Sequence, residues 1–489
     1  MRYAIVQYII ASSPEDTKLM LQASSRIRTK PSVLRKVKNL RRNASPKEVV
    51  SRLRDDVGGA TSFSSPSDLV KDRRQVYNQL RTVPGRIKSR STGPSKRVDV
   101  SRLMTIQQNG SFLKDVSFFK GCGKEKGNSV IHPNTFAATD TSLEWIRRFC
   151  SGSQPISIAG IDMTYKLGPF YLTTLTYPNP IVVHKNDGLR HPTTLGAVMT
   201  SVTKQEADYE YMAHSLKKRN VVSLTYGSDG ECAMEKGFEN TFPITGSTEK
   251  NMHLRCFDHV KSDMLSKLEK LGMEDYKRNK IVEGILGKEY NGIRTQGLVD
   301  VSDHEFEHKY VEMEANWPDE FKKWMMSTSG RVRSLKQTLR LSMLKCVRTA
   351  AGLGNPPNKW SNQRTESLNN IIKEETHNHT TDQATIHEVI EKVVKGQEQE
   401  YVMAIFGMGE YRLSPEYKKY TVTPLEWSEK TTASTKTTVD VDERKGQGVP
   451  TKVLSVPIEN CGISTIPTAL LSNIWHQAAV ILSDYHVLE

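Results

Sequence analysis

Three widely spaced acids, Asp162, Asp229 and Glu366, are the side chains in this sequence best suited to joint chemistry. Asp162 lies in G-I-D-M-T-Y, Asp229 in Y-G-S-D-G-E, and Glu366 in N-Q-R-T-E-S-L-N-N-I-I-K. Carboxylates that converge can hold hard divalent ions such as Mg²⁺, which prefer oxygen ligands and keep several waters. Two such ions, roughly 3.5–4 Å apart, clamp an in-line displacement at phosphorus: one activates the attacking oxygen and the other stabilises the leaving oxygen. Taken singly, each acid also reads as a structural residue near a strand end, satisfied by a cation or by hydrogen-bond donors. Convergence is what separates the two readings.

The elements around each acid follow from local pattern. Ile156 to Tyr177 is rich in β-branched and aromatic residues, with a bend at Lys166-Leu167-Gly168-Pro169, and predicts a hairpin. Side chains alternate along a strand, so Asp162 shares a face with Ile158, Gly160 and Thr164. A helix over 139–150 precedes it, with Leu143, Ile146 and Phe149 on one side. After it come a short strand at Ile181–His184, a loop with Gly188 and Pro192, and a helix over 203–219 carrying Ala207, Tyr211, His214 and Leu216. Residues 220–230 predict a buried strand running into a Gly-flanked turn, with Asp229 just past its end. A further strand ends near 252–256 and enters a helix through Leu271, and 277–350 read as almost wholly helical. A-G-L-G-N-P-P-N-K-W (351–360) breaks that pattern, because adjacent prolines do not sit inside a helix. The helix restarts with Leu368, Ile371 and Ile372 as its apolar stripe and Glu366, Asn370 and Lys373 on another face. Such a stripe suits packing on a sheet edge, which sets the acid at the sheet's rim. Residues 384–406 continue helically, 431–438 and 445–448 read as linker, and Ile474 to Leu482 is an apolar helix candidate.

Charge is distributed unevenly. Of 69 Lys+Arg and 55 Asp+Glu, 22 basic but only 8 acidic residues fall within positions 1–100, and the remaining chain is balanced. This asymmetry points to a polyanion-binding region beside a near-neutral body, or to a solvated basic tail. K-P-S-V-L-R-K-V-K-N-L-R-R-N (30–43) places Val33, Val37 and Leu40 at helical spacing, leaving Lys36, Lys38, Arg41 and Arg42 outward. Ser45-Pro46-Lys47-Glu48 and Ser65-Pro66-Ser67-Asp68 read as helix starts, the second helix carrying Arg73 and Arg74. P-G-R-I-K-S-R-S-T-G-P-S-K-R (84–97) reads as a flexible linker and a nuclear-import candidate. Six scattered cysteines suggest no disulfide framework and a reducing compartment. No apolar run of about 18 residues exists, so no membrane span is expected, and the apolar start is too interrupted by Gln7, Glu15 and Asp16 for a signal peptide.

The segments G-I-D-M-T-Y, Y-G-S-D-G-E, L-R-C-F-D-H and N-Q-R-T-E-S-L-N-N-I-I-K, in this order, resemble the Mutator-like element (MULE) transposases over roughly residues 140–410. The resemblance implies an α/β, ribonuclease-H-like mixed sheet flanked by helices, with an all-helical insertion and a helical basic N-terminal region. It maps the family's DDE triad onto Asp162, Asp229 and Glu366, separated here by 67 and 137 residues. The family's Cys-x-x-His falls on Cys256 and His259, which the resemblance casts as shaping the site or contacting the scissile strand. From the residues alone they are a core cysteine and a capping histidine, short of a zinc site even with His253. Terminal Cys/His clusters of the kind many members carry are not visible, which suits a truncated or domesticated copy.

The expected organisation is a basic N-terminal region and linker (1–105), the first part of the catalytic domain (106–260), the helical insertion (261–355), the last part of the catalytic domain with the third acid (356–410) and a linker with a C-terminal segment (411–489). The expected activity is a transposase working with two Mg²⁺ or Mn²⁺ ions, cleaving DNA at element ends and joining the freed 3′-hydroxyl to target DNA. Asp162, Asp229 and Glu366 are its expected metal ligands and catalytic residues with Cys256 and His259, and Lys36, Lys38, Arg41, Arg42, Arg73 and Arg74 its DNA grip. A homo-oligomer acting in the nucleus is the expected context. The alternative is a transposase-derived DNA-binding protein that has lost turnover.

Overall fold

The computed structural model describes residues 29–40, 46–56, 68–70, 75–76, 100–110, 112–118, 133–152, 155–165, 167–187, 190–244, 251–290, 293–353, 359–376 and 381–421. These fall into two compact units. One takes those within Met1–Arg90, His184–Gly188 and Glu398–Glu489, the other those within Ser91–Val183 and Leu189–Gln397.

The first unit contains α1 (Pro31–Leu40) and α2 (Pro46–Asp55). Val33 and Val37 of α1 join Val49, Val50, Leu53, Val70 and Val76 in one small core, with Leu40 packed against it, as the helical spacing predicts. Pro46 opens α2 with Glu48 in its first turn, where the acid meets the positive end of the helix dipole. Arg54 and Glu400 form a buried ion pair at 2.7 Å, and Leu69 packs on Met403. Lys36 and Lys38 are exposed on α1, Lys36 reaching Asp56 at 3.2 Å. Arg41, Arg42, Arg73 and Arg74, the segment 84–97, and everything from 422 onward lie outside the described residues.

In the second unit, chain order gives α3 (Val100–Asn109), β1 (Leu113–Ser117), β2 (Asn134–Ala137), α4 (Asp140–Phe149), β3 (Ala159–Thr164), β4 (Tyr171–Pro178), β5 (Val182–His184, its last residue counted with the first unit) and β6 (Thr193–Ser201). Then come α5 (Glu206–Lys217), β7 (Thr225–Ser228), α6 (Cys232–Thr241) and β8 (Met252–Arg255). A seven-stranded mixed sheet runs in the order β1-β2-β6-β4-β3-β7-β8. Its first four pairings are antiparallel, and β3–β7 and β7–β8 are parallel. The predicted hairpin is β3–β4. The strand predicted near 181–184 forms as β5 but lies outside this sheet. Its place beside β4 is taken by β6, where the sequence reading saw only a loop and the approach to a helix. Pro192 and the interior Gly196 disguise that strand, since both residues ordinarily mark turns.

Capping fixes α4. Thr139 accepts from the Ser142 backbone N–H while the Ser142 hydroxyl accepts from Thr139 N–H, and Leu143, Trp145, Ile146 and Phe149 are buried. On α5 the inward residues are Asp208, Tyr209, Met212, Ala213, Ser215 and Leu216, whereas His214 is exposed. Asp208 is the surprise: its carboxylate accepts from Asn134, Thr203 and the Gln205 N–H, which together offset its burial.

From Phe257 the chain builds a separate apolar core that includes Phe306, Tyr310, Trp317, Phe321, Met325 and Leu339. Its helices are α7 (Phe257–Lys270), α8 (Asp275–Leu286), α9 (Phe306–Glu314), α10 (Asp319–Met326), α11 (Leu335–Thr338) and α12 (Lys345–Ala350), with one π-helical turn at Leu339–Met343. The reading of 277–350 as almost wholly helical needs correction. A two-stranded ribbon, β9 (Glu289–Tyr290) with β10 (Ile293–Arg294), interrupts it, because Gly287 ends α8 in a left-handed conformation (φ 75°).

Two more helices, α13 (Gln363–Glu375) and α14 (Gln383–Ile405), follow. Leu368 and Ile372 of α13 share a core with Leu172 of β4, Leu195 and Val198 of β6, and Ile386 and Ile390 of α14. Among the described residues no helix is long and apolar enough to cross a membrane, and Cys150, Cys232, Cys256 and Cys346 are free thiols.

Candidate active site

Parallel pairing of β3 with β7 puts Gly160 opposite Gly227 and Ile161 opposite Ser228. The next residues along the two chains are Asp162 and Asp229, so the first two acids leave neighbouring strands side by side, about 4.8 Å apart in the sheet direction. Both are half-buried.

The third acid arrives on α13, seated by small residues. A Cβ at Gly160 would run into Thr365 Oγ1, and Thr365 Oγ1 is 2.9 Å from Thr176 Oγ1. The Asn369 amide donates to Asp162 Oδ2 at 2.7 Å, and Thr174 Oγ1 donates to Asn369 Oδ1 at 2.9 Å. The helix therefore lies across β3 and β4 rather than at a sheet edge. Its inward polar residues are Thr365 and Asn369, each 2% exposed, while Ile371, predicted inward, is 38% exposed. Glu366, one turn before Asn369, is exposed.

Segment 359–362 fixes where α13 begins. A Cβ at Gly227 would collide with the Trp360 ring, Trp360 O accepts from Phe257 N–H at 3.0 Å, and Asn362 N–H donates to Cys256 Sγ at 3.5 Å. The close approach of Thr365 to Gly160 and of Trp360 to Gly227 is absent from the sequence-based expectations. Its signal was a pair of glycines inside otherwise β-branched or aromatic strands, which marks close approach of another element.

The turn carrying Asp229 is itself constructed. Asp229 Oδ1 accepts from Glu231 N–H at 3.1 Å, and Gly230 N–H donates to Ser228 Oγ at 3.2 Å. Ser228 Oγ is 2.9 Å from His253 Nε2, and the His253 ring stacks on Tyr226. Burial drives the His253 pKa well below the usual histidine value, so this ring is neutral. His253 is thus committed to the turn rather than to a metal site with Cys256 and His259.

The three acids act on one another through their charges. Burial raises the Asp162 pKa to about 6, the Asp229 and Glu366 charges add to the rise, and the Asn369 hydrogen bond opposes it. Cys256 begins α7 at its N-cap. Burial pushes its thiol up, but His259 and the N–H groups of Asn362 and His259 more than offset that, and the net shift is downward. The same contact with Cys256 raises His259 to about 9, with the Asp229 and Glu366 charges contributing. His259 is therefore an imidazolium at neutral pH in the field of two of the acids. Cys256 is 1% exposed and out of a polymer's reach, which makes it a support for His259 and Asn362.

No protein-family model and no curated protein matches the chain.

Three carboxylates in mutual repulsion are the donor chemistry a hard dication relieves. Among the described residues, however, no three His, Cys, Asp or Glu side chains already ring a single point. The arrangement is a convergence of negative charge, short of a closed cage. Lys36 and Lys38 belong to the other unit.

Proposed function

We propose that the chain is a DDE-type, Mutator-like transposase with a ribonuclease-H-like catalytic domain, cleaving DNA phosphodiesters and transferring the freed 3′-hydroxyl to target DNA in the nucleus. The observation that carries this reading is the β3–β7 register, which sets Asp162 beside Asp229 while α13 brings Glu366 into the field of Asp162. The interior position of β3, between its hairpin partner and a parallel strand that leads into the second acid, supports the fold assignment.

Asp162, Asp229 and Glu366 would hold Mg²⁺ or Mn²⁺, in the two-ion arrangement described above. When bound, such ions supply an activated attacking oxygen and stabilise the leaving one. The chain's own residues do the rest. Asn369 and Glu231 N–H hold one oxygen each of Asp162 and Asp229. His259 brings a cation to the acid cluster, suited to a phosphate oxygen. The exposure of Glu366, and of Tyr165 with Lys373 Nζ 5.9 Å from its ring, leaves the site open to a polymer. The basic first unit supplies salt-dependent grip on the DNA backbone, and the working form is a homo-oligomer that pairs two ends.

Asp162→Asn, Asp229→Asn and Glu366→Gln are each expected to lower Mg²⁺-dependent strand cleavage by at least about a thousandfold while DNA binding persists. Undiminished cleavage in any purified variant would overturn the assignment. The absence of a ready-made cage favours one second reading, a DNA-binding descendant without turnover. Binding of a cognate end with no cutting in Mg²⁺ or Mn²⁺ by the parent chain selects it.

A further inference from the structure

Asn369 stands out among the residues around the acids because it bonds in two directions while 2% exposed. Its Nδ2 donates to Asp162 Oδ2 at 2.7 Å, and its Oδ1 accepts from Thr174 Oγ1 at 2.9 Å. Thr174 is the residue directly opposite Asp162 across the β3–β4 ladder and is fully buried. The Asp162 carboxylate settles the amide's orientation, because turning it over would set Oδ1 against an acceptor, and the Thr174 hydroxyl then meets the remaining Oδ1 as a donor.

We propose that Asn369, locked by Thr174, is a positioning residue that fixes the rotation of the Asp162 carboxylate. The inference rests on Asp162 being a ligand of the proposed ions. Its consequence is that one helix delivers two parts of the site: Glu366 itself, and one turn later the amide that aims Asp162. Docking α13 therefore completes the acid cluster and orders its first member together. Outer partners of this kind govern how well a carboxylate ligates, and losing one costs about 10–100-fold in metal affinity or activity. Asn370, the next residue, is exposed and serves as the chemical control.

The test uses the full chain as Asn369→Leu, Thr174→Val and Asn370→Leu. Mn²⁺ affinity is measured by calorimetry, and the Asp162 carboxyl signal is followed against pH in ¹³C-aspartate-labelled protein, assigned by its loss in Asp162→Asn. Asn369→Leu is expected to weaken Mn²⁺ binding about tenfold or more and to move the Asp162 midpoint upward. Thr174→Val, which trades a hydroxyl for a methyl, should shift both in the same direction by less. Asn370→Leu should shift neither. Should Asn369→Leu fail to fold, the near-isosteric Thr174→Val carries the test. Unchanged affinity and an unchanged Asp162 midpoint in folded Asn369→Leu would overturn the proposal, as would an equal effect from Asn370→Leu. A parent chain that binds no Mn²⁺ would instead count against the metal reading, while the Asp162 signal would still report on the positioning.

Discussion

Two clusters of charge meet at the turn Asp229–Gly230, and they are built on opposite rules. In one, Asp162, Asp229 and Glu366 crowd like charges at a partly open edge, and the Asp162 pKa rises to about 6. In the other, opposite charges gather around the buried Arg255, Arg333 and Glu235. Arg333 pairs with Glu239 at 2.5 Å and with Glu235 at 3.8 Å, and Arg255 and Arg331 approach Asp263 at 3.8 and 3.7 Å. Arg255 links the two clusters, because its guanidinium occupies the space that a Cβ at Gly230 would need. The difference separates charge that holds the chain together from charge kept for a task. Opposite charges in rough balance tie the loop at 331–333 to Glu235 and Glu239 of α6 and to Asp263 of α7. The acid set keeps an excess of negative charge that the His259 imidazolium only partly offsets, and a perturbed acid such as Asp162 is the kind of group that concentrates at functional sites.

The comparison can be broken most forcefully at Arg333. Replacing it by Met leaves Glu235, 1% exposed, and Glu239 without their nearest cation. The expected loss is about 3–5 kcal/mol in denaturant unfolding. A loss below about 1 kcal/mol would show that the network contributes nothing net. Gly230→Ala comes next. It forces a side chain onto φ +86° and into the Arg255 guanidinium, and should cost roughly 2 kcal/mol or more. It should also weaken cleavage by moving the adjoining Asp229. A variant as stable and as active as the parent would mean that Arg255 moves aside freely.

The smallest effect sharpens the contrast through pH. The folded Asp162 pKa, about 6, lies above the ordinary aspartate value of 3.8. Protonated Asp162 therefore favours the fold at low pH, and that contribution is lost as pH rises through about 6. Asp162→Asn should remove this loss, making the variant more stable than the parent at pH 8 by on the order of 2 kcal/mol. At pH 4 the advantage should vanish, and added Mg²⁺ should narrow it at pH 8 by stabilising the parent. Equal unfolding curves at pH 8 would place Asp162 among satisfied structural acids.

Much of the fold is legible residue by residue. The spacing of Leu143, Ile146 and Phe149 announces α4, the valine spacing of 33 and 37 announces α1, and the turn between Ile156 and Tyr177 announces β3–β4. The misses share a cause. Gly196 and Pro192 hide β6, and Gly287 hides the ribbon β9–β10, because glycine and proline report local permission without saying which distant element comes close. On α13 the apolar pattern selects Ile371 over Asn369, yet the buried position goes to the residue whose amide finds both Asp162 and Thr174.

The types of the three acids, their order, and the strands and helix that carry them follow from side-chain chemistry and short-range periodicity alone. That Asp162 and Asp229 leave paired strands side by side, that Trp360 and two glycines seat α13, and that Asn369 faces inward emerge with long-range packing. Those outcomes depend on which surfaces fit across separations of tens to hundreds of residues, and that complementarity is a property of the packed chain rather than of any local stretch.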